Sequence, residues 1–265
     1  MKKAIFLICI IYGIAASCAA SVFYTETLAY TFPRAERCEL SDIAVRNADS
    51  LSEEDYRRIF SQTGLGKPAV DSLKSLSELY AYQESYFSAP EFKCSMNSPV
   101  SFEERITGKP AKLAPVENGD ILVTNSSHVL GWRNGHAAIV TDAENGITLE
   151  AVVIGKNSRT QDISKWTGYP NFTVLRLKNA DREKRAQIAK YAAEHLDDMP
   201  YNVFVGIFPM KYSFSGTQCA HLVWLAYAAC GYDIDSNRGL IVTPEDIYRS
   251  ELFEVVQTYG RKAEP

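Results

Sequence analysis

The segment Thr217–Tyr227 reads TQCAHLVWLAY and decides how the rest of the chain is interpreted. It places Cys219 directly after a loop rich in Ser, Gly and Thr, where an apolar helix is predicted to begin. Unpaired N–H groups and the positive end of the macrodipole at a helix N-terminus stabilise a thiolate, the nucleophilic form of cysteine. Most free cysteines are instead small buried hydrophobes. This segment alone leaves a nucleophile and a core residue as equal alternatives.

The length and composition of the chain are those of an ordinary globular protein. Its 265 residues are enough for one core plus an accessory segment, or for two small domains. The formal net charge is −4, and the basic residues are scattered rather than clustered. We therefore expect no nucleic acid partner.

The N-terminus is predicted to be a signal peptide over residues 1–20. Two lysines open the chain and the apolar run Ala4–Ala16 follows, which is too short to span a bilayer. Small residues then permit cleavage after residue 19 or 20 and release of a soluble protein. Alternatively Ala15–Cys18 resembles a lipobox, with Cys18 lipidated and holding the protein on a membrane. In both cases we expect export to the cell envelope, the periplasm or the extracellular space.

Export also changes the reading of the cysteines. Cys38 and Cys94 would remain in an oxidising compartment, where a disulfide between them is one alternative. Cys230 falls on the apolar stripe of its predicted helix, which favours core packing. No Cys/His spacing is typical of zinc, so neither a metal nor another cofactor is expected.

The region 21–112 is predicted to be a mostly helical accessory segment. Ser52 is a good N-cap for a helix that has acidic residues in its first turn. Pro68 suits the first position of a second helix, whose apolar face continues as far as Tyr80. Because none of these residues carries chemistry, we expect the region to pack against the main domain or to line a cleft.

The region 113–265 has a different sequence pattern, in which short runs of β-forming residues are followed by predicted helices. Strands are predicted over 120–124, 136–141, 147–153 and 172–177, and helices over 181–196, from 219 to 231, and after Thr243. Strands and helices without strict alternation indicate an α+β fold. We expect a central antiparallel sheet with the Cys219 helix packed on it.

A thiolate nucleophile needs a base, and the chain has four histidines. His136 opens a predicted strand directly after Gly135, which makes it a candidate base, although a structural strand-end histidine is the alternative. His195 is expected at the surface, and His128 lies in a polar loop with no partner implied. His221 follows Cys219 by two residues, on another face of the helix, from which it could approach a substrate.

Three motifs in this order resemble the YaeF/YiiX-type permuted papain-like amidases, circularly permuted relatives of the NlpC-type cysteine endopeptidases. They are NGHAAIV over 134–140, LEA over 149–151 and QCAHLVW over 218–224. Further similarities are GDIL at 119–122, PYN at 200–202 and TPED at 243–246. The resemblance covers residues 118–250, and it departs from the family where Ala220-His221 replaces the usual Ser-Glu after the cysteine.

The resemblance implies a permuted papain-like domain in which Cys219 attacks a carbonyl, His136 shuttles the proton and Glu150 orients the imidazole. The residues themselves raise a geometric difficulty. A three-residue hairpin loop would place Glu150 opposite Val140, roughly 13 Å along the strand from His136. Alternative orienting residues are Asn157, Gln161 and Asp162. Tyr201 and Tyr212 are further candidates for contacts with the substrate or the oxyanion.

Together these expectations predict an exported cysteine hydrolase. It would cleave amide bonds through an acyl-enzyme intermediate, with Cys, His and Glu as its catalytic residues. The resemblance implies cell-wall peptides or small N-acyl amines as substrates. Two alternatives remain open from the sequence. An acyltransferase would pass the same thioester to an amine or alcohol, and a binding module would keep the fold as a sensor without catalysis.

Overall fold

A computed structural model describes residues 2–28, 36–88, 90–98, 101–129, 132–202, 205 and 211–261. Within the first helix, side chains are described at residue 3 and over 5–17. The fold is α+β and both sheets are antiparallel, as the sequence predicts.

The elements are numbered in chain order. The helices are α1 (Lys2–Leu28), α2 (Ser41–Ala44), α3 (Glu53–Thr63), α4 (Lys67–Asp71), α5 (Leu79–Phe87), α6 (Arg182–His195), α7 (Cys219–Ala229) and α8 (Pro244–Tyr248). The strands are β1 (Phe92–Ser98), β2 (Ser101–Ile106), β3 (Ile121–Thr124), β4 (Ser127–Val129), β5 (His136–Asp142), β6 (Ile147–Glu150), β7 (Arg159–Asp162), β8 (Phe172–Leu177) and β9 (Phe253–Tyr259). Short 3-10 helices lie at Ala48–Ser50, Leu76–Glu78 and Ile163–Gly168.

The larger sheet has six strands in the order β7-β6-β5-β3-β8-β9. Alternate residues along its central strands enter two different cores, because successive side chains of a strand point to opposite faces. Ile121 and Ile139 face the core that holds α6 and α7, whereas Leu122 and Val140 face the core that holds α3, α4 and α5. The sheet is therefore the middle layer between two groups of helices.

The predicted boundaries of most elements around α7 hold. The strand over 172–177 and the helix start at Cys219 are confirmed. The strand predicted over 147–153 is too long, since it ends at Glu150. A turn begins at Val153 and passes through Gly155, whose φ of +85° breaks the extended backbone.

The N-terminal region is less helical than the sequence predicts. Ser52 caps α3 with a capping box, as expected, but the second helix ends at Asp71. Ser75 caps a new turn instead, because its hydroxyl accepts a hydrogen bond from the Ser77 N–H. Strands β1 and β2 were not predicted, and they form a separate three-stranded sheet with β4.

The region before residue 112 shares a core with the larger sheet. Leu40, Ile59 and Leu79 pack in the same buried cluster as Leu122 and Val140. The division at residues 112 and 113 stays a prediction.

Helix α1 covers the segment expected to be a signal peptide. Its described side chains are mostly exposed. No helix among the described residues is both long enough and apolar enough to cross a membrane. The Cys18 side chain, the lipidation candidate, lies outside the described side chains.

Candidate active site

The Cys219 side chain lies at the first residue of α7, where its N-cap neighbour Gln218 holds the turn. The Gln218 Oε1 accepts a 2.9 Å hydrogen bond from the Ala220 N–H and lies 3.4 Å from the Cys219 Sγ. The Gln218 Nε2 donates to the Val242 carbonyl at 2.7 Å. Only 5% of Cys219 is exposed, so a substrate must reach the thiol through a defined opening.

The His136 side chain stands at the first residue of β5, at the end of the sheet nearest α7. Gly135 precedes it with a φ of +73°, and a Cβ there would lie 2.6 Å from the Thr124 carbonyl oxygen. Glycine therefore allows β5 to begin beside β3, where His136 pairs with Thr124. His136 hydrogen bonds through Nε2 to the Glu150 Oε2 at 2.7 Å, and Cys219 is close enough to raise the pKa of the imidazole. Because Nε2 is used by Glu150, Nδ1 is the ring nitrogen left to exchange a proton with the thiol.

The Glu150 carboxylate is completely buried and is the acceptor for four donors. Its Oε2 binds His136 and the Lys165 ammonium, and its Oε1 accepts from the Thr148 hydroxyl at 2.7 Å and the Trp166 Nε1 at 3.0 Å. A buried carboxylate with this many donors is fixed in position and in charge. Glu150 is therefore well placed to orient the imidazole.

The expected separation of about 13 Å between His136 and Glu150 is wrong. The hairpin loop has four residues, 143–146, instead of three, which shifts the pairing of the two strands by one residue. A bulge between Val140 and Asp142 shifts the pairing by one residue more. Ile139 pairs with Leu149, so Glu150 lies opposite Ala138, two residues from His136 and on the same face.

The charges in this network shift the pKa values of His136 and Glu150 in the direction opposite to the effect of burial. Burial alone would lower the pKa of His136, but the interactions with Cys219 and Glu150 raise it to about 9. Burial would raise the pKa of Glu150, yet the contacts with His136 and Lys165 lower it to about 2. At neutral pH the network holds a carboxylate next to an imidazolium.

Two functional neighbours were missed by sequence reasoning, Lys165 and Trp166. Both belong to the 3-10 helix Ile163–Gly168, in a segment that the sequence assigned only to a loop. The Trp166 indole stacks on the His136 ring with centroids 5.5 Å apart and also bonds Glu150. A tryptophan that interrupts a polar loop was the one available signal, and it did not indicate a partner.

The three alternative orienting residues are wrong. Asn157 Nδ2 bonds Asp198, Gln161 Nε2 bonds the Thr160 carbonyl, and Asp162 caps the 3-10 helix by accepting from the Ser164 N–H. Each of these side chains is used in local structure. Glu150 takes the place beside His136.

Of the candidates for substrate or oxyanion contact, Tyr201 lies beside the thiol and the other two do not. Burial and the nearby Cys219 charge raise the pKa of Tyr201, so its hydroxyl keeps its proton. Tyr212 is 78% exposed and rests edge-on against Trp224. His221 is buried, with Nδ1 at the Thr217 hydroxyl and Nε2 at the Lys211 carbonyl. His221 has no ring nitrogen left for a substrate.

Cys38 is exposed and forms no disulfide, so it is not joined to the partly buried Cys94. Cys230 ends α7 and packs beside the core, and burial raises the pKa of its thiol. Across the described ranges, no cluster of His, Cys, Asp and Glu side chains could hold a metal ion.

His128 has a partner that the sequence did not suggest. It lies in β4, and its Nε2 is 2.7 Å from the Oε1 of Glu104 in β2. The Arg133 guanidinium lies 2.7 Å from the same oxygen. These buried contacts join β2 to β4 and fix the loop that brings Trp132 and Asn134 to the site.

An open cleft of about 520 Å³ leads to the Cys219 side chain. Its walls come from the end of β4 and the loop after it, from the start of α7, and from the segment before α8. The described lining residues with polar side-chain groups include Asn134, Tyr201, Gln218 and Thr243. The cleft gives the buried thiol an opening to solvent.

No protein-family profile and no curated protein matches the sequence. Among solved structures, the chain is similar to one described as metalloprotein yiiX from Escherichia coli O157:H7, DUF1105. The two share 15% identity at a TM-score of 0.43, over 55% of this chain and 99% of that chain. A likeness at this level assigns no activity.

Proposed function

We propose that residues 113–265 form a permuted papain-like cysteine hydrolase that cleaves amide bonds. One observation carries this proposal. The His136 imidazole hydrogen bonds through Nε2 to the buried Glu150 carboxylate, and it lies close enough to Cys219 for that side chain to raise its pKa. A nucleophile, a base and an orienting carboxylate in this arrangement are the elements of acyl transfer through a covalent intermediate.

The reaction begins with the proton already on the histidine. With a pKa of about 9, His136 is an imidazolium at neutral pH. In this mechanism the attacking species is the thiolate, which a neighbouring imidazolium stabilises. The thiolate attacks the amide carbonyl carbon, and the carbonyl π electrons move onto oxygen. Glu150 keeps the imidazole in place and stabilises its positive charge.

The tetrahedral intermediate then collapses and the C–N bond breaks. His136 gives its proton to the departing nitrogen, so an amine leaves and a thioester to Cys219 remains. A water molecule next attacks the thioester while neutral His136 accepts a proton. The thiolate departs, the acid product is released and the imidazolium is restored.

Two donors are available for the oxyanion. The Cys219 backbone N–H is at the first position of α7, where helix N–H groups have no partner within the helix. The Tyr201 hydroxyl, kept protonated by its raised pKa, lines the same cleft. We assign it the second hydrogen bond to the oxyanion.

The test is reaction with a thiol-directed amide or ester probe, read by peptide mapping. The wild type is expected to be labelled at Cys219 faster than at the other thiols, and Cys219→Ala is expected to lose that label and amide hydrolysis. Cys230→Ser is the matched control, because it removes a thiol of α7 that lies outside the cleft. Equal hydrolysis by wild type and Cys219→Ala would refute the proposal.

We further propose that this hydrolase works after export. The proposal rests on the lysines, apolar run and small residues of positions 1–20. Intact mass and N-terminal sequencing of the protein from its native membrane and soluble fractions separate the outcomes. Cleavage after residue 19 or 20 gives a soluble form, an acylated Cys18 gives an anchored form, and an intact N-terminus contradicts export by cleavage.

A further inference from the structure

The Glu150 carboxylate binds two basic side chains through one oxygen. Its Oε2 lies 2.7 Å from the His136 Nε2 and also accepts a hydrogen bond from the Lys165 ammonium. Since both nitrogens lie within hydrogen-bonding distance of the same atom, they are at most about 6 Å apart. Two positive charges at this separation repel each other, and burial strengthens the repulsion. Hydrogen bonding alone does not explain Lys165, because Glu150 already has three other donors.

The fold holds Lys165 in this position through its backbone. Lys165 lies in the 3-10 helix Ile163–Gly168, which Asp162 caps. Arg105 of β2 donates from Nη1 to the Lys165 carbonyl at 2.7 Å. The Lys165 side chain is 20% exposed, whereas the Glu150 side chain that it contacts is completely buried. The ammonium is therefore a fixed positive charge at the edge of the site.

Lys165 makes the charges of the proposed reaction cancel at each stage. Before the attack, the Cys219 thiolate and the Glu150 carboxylate are matched by the His136 imidazolium and the Lys165 ammonium. After acylation the thioester is neutral, and His136 has given its proton to the leaving amine. Lys165 is then the cation that remains beside Glu150. A buried carboxylate without such a partner is strongly unfavourable.

Glu103 is a further buried charge that acts on this group. It interacts with His136 and Lys165, but its carboxylate is bound to Arg105. The Tyr169 hydroxyl donates to the same carboxylate at 3.0 Å and keeps its proton, because burial raises its pKa. Glu103 and its two partners therefore add no net charge.

Acylation changes what His136 has to do. Burial lowers the pKa of His136, and the interaction with Cys219 that opposes this effect is weakened in the uncharged thioester. His136 must now be neutral, with its proton on Nε2 facing Glu150 and a lone pair on Nδ1 for the proton of the attacking water. A positive Lys165 on the same carboxylate oxygen favours this form, because it repels a second proton on the ring.

Lys165 also keeps Glu150 ionised at this stage. Burial raises the pKa of Glu150, and Lys165 is one of the groups that lower it. Without Lys165, the pair of His136 and Glu150 would hold its extra proton more tightly. The pair would then be an imidazolium beside a carboxylate, or a carboxyl group that donates to Nε2. In both forms Nδ1 carries hydrogen and cannot activate water.

We propose that Lys165 is a positioning residue for deacylation, which acts through Glu150 to keep the Nδ1 of His136 free to accept a proton. This inference rests on the proposed function, because it assigns one stage of that reaction. In this stage a water molecule attacks the thioester carbonyl while its proton moves to Nδ1. The C–S bond then breaks, the Cys219 thiolate departs and the acid is released.

The experiment separates the two stages with p-nitrophenyl acetate and the full chain. Attack by the Cys219 thiolate releases p-nitrophenolate and leaves an acetyl thioester, so the first turnover reports acylation. This leaving group departs without an acid, which makes the first stage independent of the His136 proton. The second stage is followed after rapid removal of the probe, as loss of the acetyl group by intact mass. Peptide mapping assigns the acetylated residue.

Lys165→Met is expected to lose its acetyl group about 10- to 100-fold more slowly than the wild type, a large part of what a general base contributes. Its acylation rate is expected to stay within about threefold of the wild type. The deacylation rate of this variant is also expected to reach half of its maximum at a higher pH. The reason is that the pair of His136 and Glu150 releases its extra proton less readily.

Three further variants separate charge from structure. Lys165→Gln can still donate a hydrogen bond to Glu150 but has no charge, so it is expected to behave like Lys165→Met, and it replaces that variant if methionine prevents folding. Lys165→Arg keeps the charge and is expected to deacylate within about fivefold of the wild type. Lys178→Met removes an ammonium that binds the Glu251 carbonyl, and it is expected to match the wild type in both stages.

Two results would overturn the inference and leave the hydrolase intact. One is an equal loss of acylation and deacylation in the neutral variants, which a purely structural lysine would cause. The other is a deacylation rate in Lys165→Gln that matches the wild type in size and in pH dependence. Failure of the proposed function is a different result. The wild type would then gain no acetyl group at Cys219, or Cys219→Ala would hydrolyse the probe equally fast.

Discussion

The indole of Trp166 lies almost parallel to the imidazole of His136, with an angle of 12° between the rings and 5.5 Å between their centroids. The same indole donates its N–H to the Glu150 carboxylate at 3.0 Å. One buried side chain thus restrains both the proposed base and the residue that orients it. Because Trp166 does not contact the thiol in the described hydrogen bonds, we regard it as a positioning residue.

Trp166→Phe separates these two contributions. Phenylalanine keeps an aromatic ring against His136 but removes the hydrogen bond to a charged group, a loss of roughly 1.5–3 kcal/mol, or about 10- to 100-fold in rate. We expect kcat to fall by this factor and KM to change little. Trp224→Phe is the control, since its indole donates to Asp233 on a contact away from the triad. Equal losses in both variants would mean a general effect on stability.

Glu150→Gln tests the orienting carboxylate and its charge. The neutral amide cannot stabilise the imidazolium, so kcat/KM is expected to fall about 10²- to 10⁴-fold. Glu103→Gln is a comparison with a smaller expected loss, because Glu103 is also a buried glutamate whose charge acts on His136, but it bonds Arg105 and the Tyr169 hydroxyl instead of the imidazole. Activity within about threefold of the wild type in Glu150→Gln would remove Glu150 from the triad.

The pKa of His136 predicts how activity and stability depend on pH. Its pKa is raised from 6.5 to about 9, so the folded state binds the proton more tightly than the unfolded state. The stabilisation from this proton is complete below pH 6.5 and is lost as the pH rises through about 9. Over the same range kcat/KM is expected to fall, because the leaving amine loses its acid.

Paired measurements check this prediction. The alkaline limb of kcat/KM is expected near pH 9 in the wild type and at lower pH in Glu150→Gln. Urea unfolding of His136→Ala is expected to show less loss of stability over that pH range than the wild type. An alkaline limb that stays in place in Glu150→Gln would show that another group titrates there.

Tyr201→Phe tests the second oxyanion donor. Removal of one such donor costs about 10²- to 10³-fold in kcat in acyl-transfer enzymes, and a partly redundant donor costs less. We expect kcat to fall at least tenfold while KM stays close to the wild-type value. Tyr212→Phe, at a residue that is 78% exposed, is expected to keep full activity. If both variants keep full activity, Tyr201 is a wall residue only.

The buried pair of Glu104 and His128 predicts a stability effect that is large for a site outside the triad. The buried Glu104 carboxylate also contacts the Arg133 guanidinium at 2.7 Å. Removing one partner of such a buried charge pair costs roughly 3–5 kcal/mol, because the other partner loses its counter-charge. Glu104→Ala is expected to lower the free energy of unfolding by about this amount in urea titrations. Glu84→Ala removes an exposed pair with Arg37 and is expected to cost less than about 1 kcal/mol. Similar costs in both variants would contradict the assigned burial.

The sequence predicted the local features of the site better than its geometry. Cys219 at a helix start and His136 after Gly135 could be found because caps and strand ends have residue signals. The contact between His136 and Glu150 could not, because it depends on a four-residue loop and a bulge at Val140–Asp142. Neither has a unique sequence signature, and each shifts the pairing by one residue.

Tertiary contacts also explain the other differences between the predicted and the observed structure. Trp166 and Lys165 contact Glu150 from a 3-10 helix. No periodic pattern in the sequence predicts this helix. Strand β1 has few apolar residues and lies at the edge of its sheet beside β2, so its signal was too weak to separate it from the preceding helices. In both cases tertiary contacts, and not local preference, determine the structure.

The proposed catalysis depends on the length of the hairpin 143–146, because this length helps to set the pairing of the strand that carries Glu150. A surface loop accepts an inserted or deleted residue at small cost in stability, whereas a one-residue slip in pairing moves the Glu150 side chain to the opposite face of the sheet. Evolution could therefore silence such an enzyme, or revive one, without touching any catalytic residue. Among related chains that keep the histidine, the glutamate and the cysteine, loop length would separate active members from inactive ones.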